Sequence, residues 1–255
     1  MSERNKCVQA IILTITPQGE NNRRVCALSS DDGLFYAILY GGPKSKLRSL
    51  VQPFNAGNLW VYSDESKKSI KITDFEVSDC HLSLHTSLYK IWTANLACEI
   101  LLKTHCAGDE KKAFTLFSAF INGIDRCDEK EAMLGTIRFL WRYLALLGVQ
   151  PEIERCVHCK SNAFRKDCFF IPYAGLVCSD CADASSLHSG KTPFFPLHQN
   201  ALVYLASINE LSPGKVRSLV LDNQSAYELK QFTFFLIEQA VSTKLKTIET
   251  GMGIL

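Results

Sequence analysis

The sequence predicts an α+β chain: a five-stranded β-barrel, then a helical domain that carries a four-cysteine hairpin. Three observations predict it. Short runs of β-branched and aromatic residues, separated by turn residues, fill residues 1–80. Apolar residues at helical spacing dominate much of the remainder. Within that remainder stand two cysteine pairs spaced C-x2-C-x18-C-x2-C.

The strands come first. Val8 to Thr16 is one run, closed by Pro17-Gln18-Gly19, and Arg24 to Ser29 is a second. Leu34 to Tyr40 follows the turn Ser30-Asp31-Asp32-Gly33, and Leu59 to Tyr62 and Ile70 to Val77 complete five. Alternating patterns bounded by turn residues read as strands. Five short strands suit a small closed barrel, of which the OB-fold is the commonest form and the SH3-like barrel the competing one.

Residues 81–255 form the second domain. Leu82 to Cys106 is apolar enough for a buried helix. Phe114, Phe117, Ile121 and Ile124 form one helical stripe, and Met133, Ile137, Trp141, Leu144 and Gly148 form another. Asp128 with Glu131 has the form of a capping box. Ser212-Pro213 opens a short helix. Ser225 with Glu228 caps a longer one that runs toward Lys246 and buries Leu229, Phe232, Leu236 and Ala240.

The insertion at 152–185 holds Cys156, Cys159, Cys178 and Cys181. A C-x2-C turn places two sulfurs on one side, and the interval lets a hairpin bring the second pair opposite the first. The spacing is that of a tetrahedral four-thiolate zinc site, closed to substrate and therefore structural. Two disulfides or a redox C-x-x-C are the alternative readings. His158 is a bystander, because four sulfurs already complete the coordination. The chain has eleven cysteines, an odd number, and those outside the quartet fall in apolar segments. With no secretory leader or membrane span in the pattern, a reducing, cytoplasmic compartment is expected.

The 255 residues are 47% hydrophobic and carry a net charge of +2, so any basic surface must be local. Walker A, G-x-G-x-x-G, H-E-x-x-H and G-x-S-x-G motifs are all missing. Asp31-Asp32 suits a turn, and His81 and His85, spaced i,i+4, read as a capping or partly exposed pair before a metal pair. The expectation is a protein that binds and does not catalyse.

The strongest binding feature is Gly41-Gly42-Pro43-Lys44-Ser45-Lys46-Leu47-Arg48, which follows a strand within an acid-free stretch, residues 33–60. Lys44, Lys46 and Arg48 are its cations, and Arg23 and Arg24 add two more. Beside strand rings (Phe35, Tyr36, Tyr40, Phe54, Trp60, Tyr62), such cations suit single-stranded nucleic acid, with charge on phosphates and rings on bases. The same loop also reads as an ordinary solvated surface. Arg138 and Arg142, one helical turn apart, extend the basic path or stand as ordinary exposed arginines.

Taken together, the motifs resemble the bacterial DNA repair protein RecO family. Leu39 to Arg48 with Leu50-Val51-Gln52-Pro53-Phe54 is similar to its glycine-basic loop. Arg138 to Pro151 is similar to its helix ending in Leu-Gly-x-x-Pro, and Cys156-x-x-Cys159 with Gly175-Leu176-Val177-Cys178-x-x-Cys181 to its zinc knuckles. The likeness covers nearly the whole chain. It departs in a loop with less arginine and in Ala174-Gly175 where paired glycine is common. The resemblance implies an OB-fold that binds single-stranded and double-stranded DNA and anneals complementary strands. It also implies one structural Zn, and action with RecR and the single-stranded DNA-binding protein in loading RecA. The alternatives are a zinc-braced protein-interaction adaptor without DNA contact, and a zinc-ribbon nuclease, which would need clustered carboxylates.

Overall fold

The computed structural model describes residues 5–42, 45–64, 68–184, 194–251 and 254. The first strand, β1 (Asn5–Gln18), is long enough to serve two partners. Its first half, Asn5 to Ile11, pairs with β4 (Ala56–Asp64), and its second half, from Ala10, pairs with β2 (Asn22–Ser29). A register shift between Ile12 and Thr14 bends it between them, as bulges do. Adding β3 (Gly33–Leu39) and β5 (Ser69–Asp79) closes the barrel in the order β1-β2-β3-β5-β4. The pair β3–β5 is parallel and meets at Ile38 and Lys71. Gly57 sits at a second register shift, where an added Cβ would lie 2.1 Å from the Glu76 carbonyl oxygen. Only glycine permits that approach.

Strand alternation fills the interior. Val8, Ala10, Ile12, Val25, Ala27, Ala37, Leu39, Leu59, Val61, Ile72 and Phe75 form its core, with Val51 from the β3–β4 connection. That connection contains the short helix α1 (Lys46–Leu50).

After the barrel, the apolar stretch from Leu82 is not one helix. A 3-10 turn, Leu82–His85, precedes α2 (Leu88–Lys103), and a second, His105–Gly108, follows it. Ser87 caps α2, its hydroxyl accepting from the Lys90 N–H at 3.3 Å. Beyond α2, Cys106, Ala107 and Gly108 all take positive φ, which stops helical propagation. Helix α3 (Glu110–Asp125) is capped by Asp109. Helix α4 (Glu129–Leu146) is capped by Asp128, which accepts from the Glu131 N–H at 2.8 Å. Gly148, expected on the buried stripe of α4, instead lies past its end at φ 72 as the left-handed terminator.

The cysteine hairpin comprises β6 (Cys168–Ile171), β7 (Gly175–Cys178) and α5 (Ser179–Ala184). A third strand, β8 (Phe195–Leu197), completes a sheet in the order β7-β6-β8. Helices α6 (Gln199–Glu210), α7 (Pro213–Arg217), α8 (Asn223–Val241) and α9 (Lys246–Thr250) follow. Both β8 and α6 escape the sequence reading, although Leu202, Leu205 and Ile208 carry the helical spacing and are buried in α6. Helix α8 begins earlier than its Ser225–Glu228 pattern suggests. Asp222 is the cap, accepting from the Ser225 N–H and hydroxyl, both at 2.8 Å. Glu228 is instead buried and accepts from the His198 backbone N–H at 3.0 Å.

Two compact units result. Residues 1–132 with 244–255 form one, and residues 133–243 form the other. The switch from strand to helix falls near residue 80. The first unit runs past it because α3 packs on β2 and β3, and α2 packs on α3.

Candidate nucleic-acid interface and metal centre

The outer face of the barrel is set by alternation. Val25 and Ala27 point inward, so Arg24 points outward on β2. Its neighbour across the ladder is Ile38, and Tyr36 stands diagonally from it, opposite Cys26. The Arg24 guanidinium lies over the Tyr36 ring, 4.0 Å from its centroid. On the next strand pair, Lys71 Nζ lies 5.4 Å from the centroid of Tyr40. Tyr36 and Tyr40 are 49% and 44% exposed, so these cation–π pairs are open to solvent.

Arg23 is partly exposed, and its pKa is lowered first by burial and then by the charge of Arg48. Lys46 is exposed in the first turn of α1. Lys44, like Pro43, lies outside the described residues. Of the six candidate rings, Phe54 is buried and Phe35 packs against the barrel core. Tyr36 and Tyr40 are exposed, and Trp60 and Tyr62 are half-buried on the outer face.

Lys71 is a member of this face that the sequence reading missed. It pairs in register with Ile38 on one side and Tyr62 on the other. No local pattern marks it, because only the closure of β5 against β3 brings it to Tyr40. Farther along β5, Asp74, Glu76 and Asp79 are exposed, which confines the basic surface to one end of the strand.

Arg138 and Arg142 are used differently. Arg138 is 6% exposed and donates to the Tyr204 hydroxyl at 2.9 Å. Arg142 is half-buried and donates to the Ile208 carbonyl at 3.4 Å, and its pKa is lowered first by burial, then by the charge of Arg138. Both stitch α4 to α6. The expectation of a basic surface path is corrected for Arg138, which is buried, whereas Arg142 stays partly exposed with one donor on α6. The histidine pair is likewise no metal site. His81 is buried and its ring nitrogens face the Phe54 carbonyl and Asn122.

The second feature is the sulfur cluster. Cys156 and Cys159 sit on a turn in which the Lys160 N–H donates to the Cys156 carbonyl at 3.0 Å. Val157 N–H donates to the Leu176 carbonyl at 2.8 Å and holds that turn against β7. Gly175, at φ 104, leaves room for it, since an added Cβ would lie 2.8 Å from Val157 Cγ1. Cys178 ends β7 and Cys181 lies in α5. The four Sγ atoms all fall within 4.8 Å of one another, with Cys159 and Cys178 at 3.6 Å. A tetrahedral ion with metal–sulfur bonds of about 2.3 Å requires sulfurs about 3.8 Å apart. The cluster fits a metal ion.

None of the eleven cysteines is joined in a disulfide. Cys159 is held down at about 6, first by the Ser161 hydroxyl and then by the Ser161 N–H. Cys181 is pushed up to about 12, first by hydrogen bonding with Cys159 and Cys178. Crowded thiolates repel, so full ionisation of the quartet needs a cation. The fifth cysteine of the hairpin, Cys168, is buried and points its thiol at the Ala163 carbonyl, 3.8 Å away.

Among the described residues, no helix is long and apolar enough to cross a membrane. The family model "Recombination protein O N terminal" matches residues 1–91, and "Recombination protein O C terminal" matches residues 85–249. The chain is 25% identical to the DNA repair protein RecO of Clostridium perfringens (strain 13) over 243 residues, 94% of each chain. It is 24% identical to the DNA repair protein RecO of Bacillus velezensis over 247 residues, 95% of this chain and 91% of that one. It is 27% identical to the DNA repair protein RecO of Synechococcus sp. (strain JA-2-3B'a(2-13)) over 192 residues, 71% and 67% of the two chains. With matches to both halves, the chain belongs to the recombination protein O family.

Proposed function

We propose that this chain is a recombination mediator in DNA repair that holds DNA on the outer face of its barrel and anneals complementary strands. One observation carries the reading of the site: two exposed cation–ring pairs, Arg24 on β2 with Tyr36 on β3, and Lys71 on β5 with Tyr40 just past the end of β3. Arg23, Lys46 and Arg48 add charge at the same end, with Lys44 assigned to the same role from its place in the sequence. Cations neutralise phosphate and release counterions, so binding falls as salt rises. Rings accept bases without reading sequence, at about 1–3 kcal/mol per base.

Annealing is downhill once phosphate repulsion is screened and bases are exposed. The reading therefore has no catalytic residue and no nucleotide requirement. The cysteine quartet holds one structural Zn, whose bonds brace the hairpin. RecR, the single-stranded DNA-binding protein and, indirectly, RecA are the partners expected from the family. The compartment is cytoplasmic, at the nucleoid, in keeping with cysteines outside the quartet that form no disulfide.

The test is to mix labelled complementary oligonucleotides with pure protein and no nucleotide. Duplex should form faster than in a protein-free control, and strand length should stay constant. An absolute need for a nucleoside triphosphate, or shortened strands, would refute it.

A further inference from the structure

The segment that carries Lys46 and Arg48 is short, and a five-residue helix has little stability of its own. Its position is imposed from its C-terminal side. Gln52 Nε2 donates to the Arg48 carbonyl at 2.7 Å, and Asn55 Nδ2 donates to the Leu50 carbonyl at 2.8 Å. The Phe54 N–H donates to Ile12 at 2.7 Å, and the Asn55 carbonyl accepts from Ile12 at 3.0 Å, at the bend of β1. Phe54 is buried with φ 69, a left-handed conformation that a bulky residue holds only when its surroundings enforce it.

A further enforcing contact comes from outside the barrel. His81 Nδ1 lies 2.8 Å from the Phe54 carbonyl oxygen, and Nε2 lies 3.0 Å from Asn122 Oδ1 on α3. A carbonyl only accepts, so Nδ1 carries a proton. His81 is 5% exposed and itself sits at φ 45. A buried ring in a constrained backbone thus ties α3 to the turn that anchors α1.

We infer that His81 is a positioning residue for DNA binding: by fixing the Phe54 carbonyl it sets where Lys46 and Arg48 stand on the DNA face. The inference rests on the reading of that face given above. His81 touches no DNA in it and acts through the 51–55 turn. A histidine that served stability alone would change the melting temperature and leave the number of phosphate contacts unaltered.

The experiment measures binding of labelled oligothymidylate across a salt series for wild type, His81→Leu, Lys46→Ala/Arg48→Ala, and all three changes together. His81→Leu keeps bulk and removes both hydrogen bonds. Its log–log salt slope should fall by about 0.7 to 1.4, the amount expected for one or two lost single-strand phosphate contacts. Adding it to Lys46→Ala/Arg48→Ala should cost little more, because the contacts it positions are already gone. A wild-type slope in folded His81→Leu, or fully additive losses, overturns the inference and leaves the DNA face standing. Unchanged binding by Lys46→Ala/Arg48→Ala overturns both. If circular dichroism shows that His81→Leu does not fold, Asn122→Ala takes its place. It removes the outer link alone and should give a smaller slope change with the same non-additivity, and full additivity would refute it.

Discussion

The barrel and the cysteine hairpin are both small β structures, and they are closed by opposite means. The barrel closes on itself: each strand finds two neighbours, and a continuous apolar interior from Val8 to Phe75 fills it. The hairpin has three short strands of three or four residues, too few to seal a core. Phe170 and Phe195 lean instead on Phe232 of α8, and the four clustered sulfurs gather the turns that no core of their own holds. The barrel can therefore leave charge and rings on its outside, because its stability does not depend on them. The hairpin has no such freedom, since its turns, from Cys156 to Gly175, are shaped around the sulfurs.

The largest expected effect tests that contrast. Structural zinc in finger peptides is worth about 10–16 kcal/mol at pH 7. Cys178→Ser should abolish stoichiometric zinc and make the hairpin the first segment cut by protease, while the barrel amides keep their hydrogen-exchange protection. Full zinc content in Cys178→Ser would break the comparison.

The reciprocal change follows. Phe75 is 2% exposed in the barrel core, and Phe75→Ala should cost about 3–5 kcal/mol. Chemical denaturation should register that loss while zinc content stays at one per chain. A variant that loses zinc in parallel would show the two closures to be one.

Next come the two classes of arginine. Arg23→Ala/Arg24→Ala should weaken oligothymidylate binding about tenfold and flatten its salt slope by about 1.4, with the fold intact. Arg138→Met should do the reverse. It removes the donor to Tyr204 and should lower stability by about 1–3 kcal/mol with the salt slope unchanged. A salt slope that responds to Arg138 would restore it to the DNA face.

The smallest effect is a cap. Asp222→Ala should cost about 1 kcal/mol of stability. The Asp222 carboxyl is lowered from 3.8 to about 2, first by the Ser225 N–H and then by its hydroxyl. A depressed carboxylate stabilises the fold above its unfolded value and loses that contribution as pH falls through the folded one. The difference between wild type and Asp222→Ala should hold above pH 4 and shrink between about 4 and 2. A constant difference down to pH 2 would assign the cap to another group.

The same two regions show what can be read from a linear chain. The cysteine cluster was legible because its chemistry is local: C-x2-C states its geometry in four residues. The five strands were legible by alternation, and the cap of α4 by Asp128 with Glu131. The α8 cap was not, because Asp222 lies upstream of the Ser225–Glu228 pattern that imitates one. The break around His81 was invisible for a similar reason. Only the Phe54 carbonyl and Asn122, 27 and 41 residues away, give that ring a reason to leave the helix.

By itself, then, the sequence determined the fold class, the family and the four sulfurs, since periodicity, motif order and short spacings are written into neighbouring residues. Tertiary structure decided which cations face solvent. Arg24 and Arg138 are the same side chain in comparably basic surroundings. One lies over an exposed ring on a closed barrel, and the other is turned inward to a hydroxyl 66 residues away. Lys71 joins the face through a parallel strand pair that no local pattern encodes. A charge goes where its best acceptor is, and the acceptors of a folded chain are set by contacts distant in sequence.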